Sequence, residues 1–452
     1  MKQILIIGAG FAGLWSALSA VRQLDLHGRK DVEVTLLAPQ AELHVRPRFY
    51  EPDVHAMAAP LQELFDAVNV RFVQGTAFHI DEAARRVSYR TRSGTQCALP
   101  YDRLIMACGS VLNRPDMVGI EHVFDVDKLD SAARLETHLK SLASLPDTPA
   151  RNTVVVAGGG FTGIETATEL PARLREILGE DAALRVVVVD RGARIGAALG
   201  DGIRPAIEQA SEALGVEWIC GATVASVDPA GVLLDNGQRI DASTVIWTVG
   251  FKANPLTEQI SGERDRQGRL HVDGNLKVKG NDAVYAAGDV AYAACDDAGN
   301  YAVMSCQHAI PLGRHAGNNA AAELIGVAPK TYSQPKYVTC LDLGAWGAVY
   351  TEGWERTVSP PEDKAEAKVL KAQINTVWIY PPAADRAAAL AAADPAIPLP
   401  QSSRKPLKLA QDSRIRQQQT ARWQSAPGQH RSPGCGAQGH RPGHGRGRFP
   451  GR

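Results

Sequence analysis

Two stretches of this chain, "ILIIGAGFAGLWSALSA" (Ile4 to Ala20) and "VVVAGGGFTGIETATEL" (Val154 to Leu170), can be laid over one another with an offset of 150 residues. The glycines then coincide, Gly8, Gly10 and Gly13 against Gly158, Gly160 and Gly163. In each copy an apolar, β-rich run ends in Gly-x-Gly-x-x-Gly and opens a helical pattern. Such a turn aims exposed backbone N–H groups and the positive end of a helix at one point, which suits a pyrophosphate. The first glycine permits the tight turn, the second lets a phosphate approach, and the third lets helix and strand pack closely. One such motif is weak on its own. Two copies in the same strand–turn–helix–strand context predict two Rossmann-like dinucleotide-binding domains in an α/β chain.

The copies differ at the end of the next strand, "VEVTLL" (Val32 to Leu37) in the first and "LRVVVV" (Leu184 to Val189) in the second. The residue closing that strand usually carries an acid for the adenosine ribose hydroxyls. It is Ala38 in the first copy and Asp190 in the second. A carboxylate there repels a 2′-phosphate, so Asp190 points to NADH over NADPH, with Arg191 and Arg194 close enough to soften the preference.

A third segment, "DAVYAAGDVA" (Asp282 to Ala291), is a short apolar strand followed by Gly288 and Asp289. An aspartate at such a strand end can hold a polyol hydroxyl, and FAD has a ribityl chain where NAD has none. Two further buried strands end in glycine turns: "YDRLIMACGS" (Tyr101 to Ser110), with Gly109, and "STVIWTVGF" (Ser243 to Phe251), with Gly250.

In this order the motifs resemble the pyridine nucleotide–disulfide oxidoreductase superfamily, and within it the type II NADH dehydrogenases and their soluble relatives. The resemblance covers roughly residues 1 to 395. It implies that Gly8, Gly10 and Gly13 hold the FAD pyrophosphate, that Asp289 binds the ribityl chain, and that Gly158, Gly160, Gly163 and Asp190 hold NADH. Gly109, Gly288, Ala309 and Gly250 are counted with the cofactor sites. Arg46, in "ELHVRPRFYEPD" with His44 and Arg48, lines the FAD phosphates or is simply solvated.

The family also implies an organisation. Residues 1–115 and 269–325 form a split FAD-binding domain, with an NADH-binding domain at 150–268 inserted between them. A small α+β domain at 326–395 covers the flavin and often forms an interface. "LASLPDTPARN" (Leu142 to Asn152) reads as the first linker, "YVTCLDLGAWGAVYTEGW" (Tyr337 to Trp354) as strand, and "KAEAKVLKAQINTVWIYPP" (Lys364 to Pro382) as helix up to its double proline.

Two residues are candidates for catalysis. Glu165 follows the second fingerprint on what reads as the first helical turn. The family's glutamate at this place lies near the nicotinamide and acceptor pocket, where it can relay protons, but an acid also favours any helix start. Gln307 lies in "CQHAIP", where type II enzymes often carry A-Q-x-A-x-Q as a quinone motif. Gln307 and Ala309 are kept, and Pro311 stands where the second glutamine belongs. Quinone reduction is weakened by that change, and Gln307 also reads as a plain helix cap. The resemblance still favours an FAD-dependent enzyme that takes hydride from NADH and hands electrons to a quinone. A ferredoxin- or rubredoxin-type reductase and a redox-sensing flavoprotein like apoptosis-inducing factor are the alternatives.

Seven cysteines are scattered with no C-x-x-C spacing, which argues against a disulfide reductase or a zinc site and for reduced thiols in the cytoplasm. Lys2 and the apolar run after it mimic a secretory signal, but cleavage near Ala20 would destroy the first turn. No apolar run approaches the roughly 18 residues that span a bilayer. Contact at the inner face of a membrane would then be peripheral. A homodimer is compatible with the family, and a nucleic-acid partner is not expected. Zero net charge hides a divided chain: residues 401–452 hold eleven Lys/Arg against one acid, Asp412. That tail has the composition of a GC-rich message read out of frame, with a disordered tail or a basic arm as the other readings.

Overall fold

The computed structural model describes residues 1–398, so the basic tail at 401–452 lies outside the described residues. The first repeated stretch forms the centre of a five-stranded parallel sheet, ordered Val284–Ala286, Arg103–Met106, Lys2–Ile7, Val32–Ala38, Arg71–Gln74. The second forms a four-stranded parallel sheet, ordered Val216–Cys220, Arg185–Asp190, Thr153–Ala157, Thr244–Trp247. Parallel strands covered on both faces must be apolar throughout. Accordingly Ile4, Leu5, Ile6, Val154, Val155 and Val156 are at most 1% exposed. The edge strand Val284–Ala286 comes from beyond the second sheet, so one parallel sheet is inserted in sequence within the other.

The duplication extends past the turns. Each half carries a three-stranded antiparallel sheet, Thr76–Asp81 with Arg86–Arg90 and Gln96–Pro100, and Val224–Asp228 with Gly231–Leu234 and Arg239–Asp241. The strands that leave these halves, Ser110–Leu112 and Phe251–Ala253, pair with each other in an antiparallel ribbon. The ribbon is closed by matching bonds at its two ends. The Asn254 N–H donates to the Gly109 carbonyl (2.9 Å), and the Asn113 N–H donates to the Gly250 carbonyl (2.6 Å).

Two contacts place the remaining elements. Helix Phe11–Leu26 lies against helix Cys306–Ile325 at backbone distance: a Cβ on Gly313 would overlap the Ala12 carbonyl, and one on Gly317 the Ser16 carbonyl. This brings the start of the later helix beside the first glycine turn. The C-terminal sheet, Val338–Asp342, Ala348–Glu352 and Thr357–Val358, packs on the second half instead of only covering the first. Leu341, Leu343 and Val349 share one core with Ile164, Leu199, Ile203 and Ile207. Each such side chain contributes about 1.5–3 kcal/mol when fully buried. The segment read as a linker opens with a 3-10 turn, Leu142–Ser144, and Arg151 in it is buried and bonded to Asp147, Asn152 and the Leu145 carbonyl.

Candidate functional site

The two glycine turns have the same local geometry. Gly8 and Gly158 have φ of 110° and 109°, a left-handed region that disfavours side chains. A Cβ on Gly13 would overlap the Gly8 carbonyl oxygen, and one on Gly163 the Gly158 carbonyl oxygen. A Cβ on Gly10 or Gly160, by contrast, would meet nothing within 4 Å. Neither helix start carries a side-chain cap or an acid in its first turn. Both helix starts are therefore uncapped by side chains, while at the second turn the Asp190 carboxylate takes up the Gly159 N–H just before the helix. Both turns fit a dinucleotide pyrophosphate.

Around the first turn the structure gathers Gly109, Gly288, Asp289, Ala309 and Arg46. Gly288 (φ 71°) sits where a Cβ would meet Ala12 Cβ at 2.8 Å and Ala309 Cβ at 3.5 Å. Next to it, the Asp289 carboxylate accepts a 2.6 Å bond from Ser110 Oγ, just after Gly109. Arg46 donates from Nη1 to Ser110 Oγ (2.9 Å), lies 3.7 Å from Asp289 Oδ2, pairs with Asp127, and covers the Phe251 ring at 5.1 Å. Arg46 is thus partly exposed but not isolated. It is tied to the carboxylates beside the ribbon, while His44 pairs with Glu42 and Arg48 with Glu51.

Around the second turn, Asp190 closes its strand. Its Oδ2 accepts the Gly159 N–H and its Oδ1 the Gly192 N–H, each at 2.7 Å. The carboxylate is held at the turn by backbone donors, while Arg191 and Arg194 are exposed. Gly250 lies next to Val249 and Thr248, whose side chains would touch a Cβ on Gly158 at 2.7 and 2.9 Å.

Helix Cys306–Ile325 is capped by Ser305, whose Oγ accepts from the His308 N–H, so Gln307 is not its cap. Gln307 clasps the C-terminal sheet: Nε2 donates to the Val338 carbonyl (2.7 Å), and Oε1 accepts the Val338 N–H (3.1 Å). Pro311 does not end the helix, which runs through it. Proline removes the bond that would reach the carbonyl four residues back, at Gln307. That carbonyl accepts from Gln334 Nε2 instead (3.4 Å).

Glu165 is not on a first turn either. Its helix is Phe161–Leu178, which makes it the fifth residue, beyond the reach of the cap positions. Its partners explain its burial. Oε1 accepts from Lys371 Nζ (2.7 Å) and from the Asp342 N–H (3.1 Å), and Glu165 and Lys371 are 8% and 7% exposed. Lys371 also donates to the Cys340 carbonyl (3.0 Å). Asp342 pairs with Lys368 and accepts from Tyr50 Oη (3.2 Å). Burial pushes the Glu165 carboxyl above the usual range, opposed by the Lys371 ammonium. Burial would lower Lys371, but Glu165 holds it well above an ordinary lysine. Cys306, at the start of helix Cys306–Ile325, is half-buried, and desolvation pushes its thiol up to about 11.

Reading the sequence missed Ser110, Lys371, Asp342 and Tyr50. Only Lys371 left a signal. In helix Lys364–Gln373 the buried residues are Ala367, Leu370 and Lys371, so a lysine occupies an apolar-stripe position where none is expected without a partner. The six cysteines among the described residues are free, and no group of metal ligands is found there.

Comparison with known proteins agrees with this geometry. The family profile described as pyridine nucleotide-disulphide oxidoreductase matches residues 2–313. A protein of Mycobacterium tuberculosis named NADH dehydrogenase-like protein is 46% identical over 405 residues, covering 88% of this chain and 99% of its own. A type II NADH:quinone oxidoreductase of Staphylococcus haemolyticus is 24% identical over 368 residues, covering 77% and 89%. The structure of NDH2 from Plasmodium falciparum with NADH superposes with a TM-score of 0.69 at 14% identity, over 87% of this chain and 97% of that one.

Proposed function

Because this chain belongs to the pyridine nucleotide-disulphide oxidoreductase family, we propose that it oxidises NADH at its second glycine turn and delivers the electrons to a quinone-like acceptor, with FAD resident at its first. It is an oxidoreductase enzyme that uses FAD and NADH. FAD, when bound, supplies the redox chemistry. The chain's residues bind, orient and manage protons. The open faces of Gly10 and Gly160 admit the two pyrophosphates. Asp289, braced by Ser110, offers its carboxylate to a ribityl hydroxyl. Asp190 offers its remaining lone pairs to the adenosine ribose and disfavours a 2′-phosphate. The start of helix Cys306–Ile325 presents partial positive charge beside the first turn.

A quinone-like acceptor takes up two electrons and two protons, while NADH brings one hydride. One proton must therefore come from the protein or from solvent. The observation that carries the acceptor reading is the buried Glu165–Lys371 pair, set against strand Val338–Asp342, which Gln307 ties to the start of helix Cys306–Ile325. A carboxyl raised by burial and a lysine bonded to it form a proton-exchanging couple. Gln307 holds the helix start against the C-terminal sheet, and Pro311 removes a second amide from this surface. Turnover with quinones is accordingly modest.

No helix among the described residues is long and apolar enough to cross a membrane. We place the protein in the cytoplasm, with peripheral contact at the inner membrane face as its route to a lipid-soluble acceptor. Steady-state NADH oxidation with a short-chain quinone, a ferredoxin or no acceptor tests the reading. Electron transfer to the ferredoxin with none to the quinone would replace it.

A further inference from the structure

The turn that follows strand Ala348–Glu352 reaches from the C-terminal sheet to the start of the helix after the second glycine turn and to the loop after Asp190. Arg356 there adopts a left-handed φ of 52°. Its Nη1 donates to the Leu199 carbonyl (2.8 Å) and its Nη2 to Tyr337 Oη (3.4 Å). The guanidinium lies over the rings of Phe161 (5.3 Å) and Tyr337 (5.5 Å). Phe161 is the residue after Gly160, and Leu199 lies in the loop after Asp190. On the other side of this contact, a Cβ on Gly202 would come within 2.5 Å of the Arg356 carbonyl oxygen and 2.8 Å of that of Glu355. The φ of Gly202 is not left-handed, so this glycine answers to the neighbouring backbone and not to its own conformation.

The loop so held is soft by composition. Between Asp190 and Arg204 it contains Gly192, Gly196, Gly200 and Gly202, with Gly196 and Gly200 at φ of 62° and 92°. Asp190 fixes one end through the Gly192 N–H (2.7 Å), and Arg204 Nε reaches the Ile195 carbonyl (3.0 Å). The far end is held by Arg356. Behind Arg356, Tyr337 stacks on Trp354 at 4.5 Å and lies 5.7 Å from His308, on the helix that starts beside the first turn.

We propose that Arg356 is a positioning residue for NADH. It holds the 191–202 loop and Phe161 in the shape that receives the nucleotide, so that the C-terminal sheet completes the NADH site. A glycine-rich loop ordered only on binding would charge its lost freedom against affinity, and a loop clamped in advance does not. The proposal rests on the reading that the second turn takes NADH.

The test is an equilibrium titration of the oxidised, FAD-loaded protein with NAD⁺, which binds without turnover, alongside NADH kinetics. Arg356→Ala and Gly202→Ala attack the contact from its two sides. Each should weaken NAD⁺ binding roughly tenfold. KM for NADH should rise by a similar factor while kcat falls by less than about twofold, a split that general destabilisation does not produce. Arg356→Lys should recover only part of the loss, because an ammonium cannot bridge the Leu199 carbonyl, the Tyr337 hydroxyl and two rings at once. Wild-type NAD⁺ affinity in both alanine variants overturns the proposal. Asp190→Ala separates the two layers: if it weakens NAD⁺ and the clamp variants do not, only the clamp falls, and if none of the three matters, the reading of the second turn falls with it. Should Arg356→Ala lose its FAD, Gly202→Ala decides alone.

Discussion

Lys371 Nζ donates to Glu165 Oε1 at 2.7 Å across 206 positions of sequence, and both side chains are buried. Breaking such a pair leaves one charge uncompensated, which costs about 3–5 kcal/mol. Glu165→Gln keeps the shape and a neutral partner for the Asp342 N–H, so its cost is at the low end. It removes the exchangeable carboxyl proton. We expect reoxidation of the NADH-reduced protein by a short-chain quinone to slow by roughly tenfold or more, with reduction by NADH nearly unchanged. Rapid mixing resolves the two half-reactions. Reoxidation at the wild-type rate would leave Glu165 a packing residue.

The same pair sets a pH dependence. Burial raises the Glu165 carboxyl and Lys371 pulls it back down. The protonated form is present below the raised folded pKa and is lost as pH climbs through it, so proton delivery from Glu165 declines on the alkaline side. Replacing the ammonium by an apolar side chain of similar length, Lys371→Met, removes the downward pull. The alkaline limb of the reoxidation profile should move to higher pH. A limb that stays in place, or moves to lower pH, assigns the titration to another group.

Gly10 and Gly13 make opposite predictions although both belong to one motif. Gly13→Ala drives a Cβ into the Gly8 carbonyl and should cost stability, visible as a lower Tm. Gly10→Ala meets no protein atom within 4 Å. It should fold with near-native Tm yet lose flavin, because the Cβ enters the mouth of the turn. Gly160→Ala is the matching experiment at the second turn: FAD retained, NAD⁺ binding lost. Full flavin content in Gly10→Ala would mean that the first turn holds something else.

Asp289 is the other end of the first site. Asp289→Ala removes the acceptor of the Ser110 bond and one anion near Arg46, which retains Asp127. Flavin affinity should fall by roughly tenfold or more, as for loss of a charged hydrogen-bonding group. The flavin-to-protein absorbance ratio after gel filtration measures it, and an unchanged ratio would remove Asp289 from the site.

The glycine turns and their flanking strands could be read from the sequence because each obeys a local rule: an apolar parallel strand, a residue with φ beyond the reach of side chains, then a helix start. The strand character between Tyr337 and Trp354 declared itself by β-branched and aromatic residues between glycines, and the structure folds it into an antiparallel pair. Glu165 was visible as a residue but misplaced along its helix, since Phe161 and not a later residue opens it. Tyr50 and Asp342 were hidden, and Lys371 showed only as a lysine on an apolar stripe, for a different reason. They join elements far apart in sequence, and only tertiary packing makes a buried lysine and a buried glutamate necessary to one another. Gln307 shows the same limit: its type suggested a ligand or a cap, whereas its amide donates to and accepts from the backbone of Val338.

The insertion of one parallel sheet within the other has a consequence for how the chain matures. Strand Val284–Ala286 and helix Cys306–Ile325 complete the first sheet and cover its central helix, and both are made long after Lys2–Ile7. The second sheet, from Thr153 to Trp247, draws all its strands from one continuous stretch. On a ribosome, which releases the N-terminus first, the later half can therefore close while the earlier one still exposes the flank of Arg103–Met106 and the small-residue face of helix Phe11–Leu26. The part synthesised first is the last to be finished, and during that interval its bare edge is the segment a chaperone has most reason to hold.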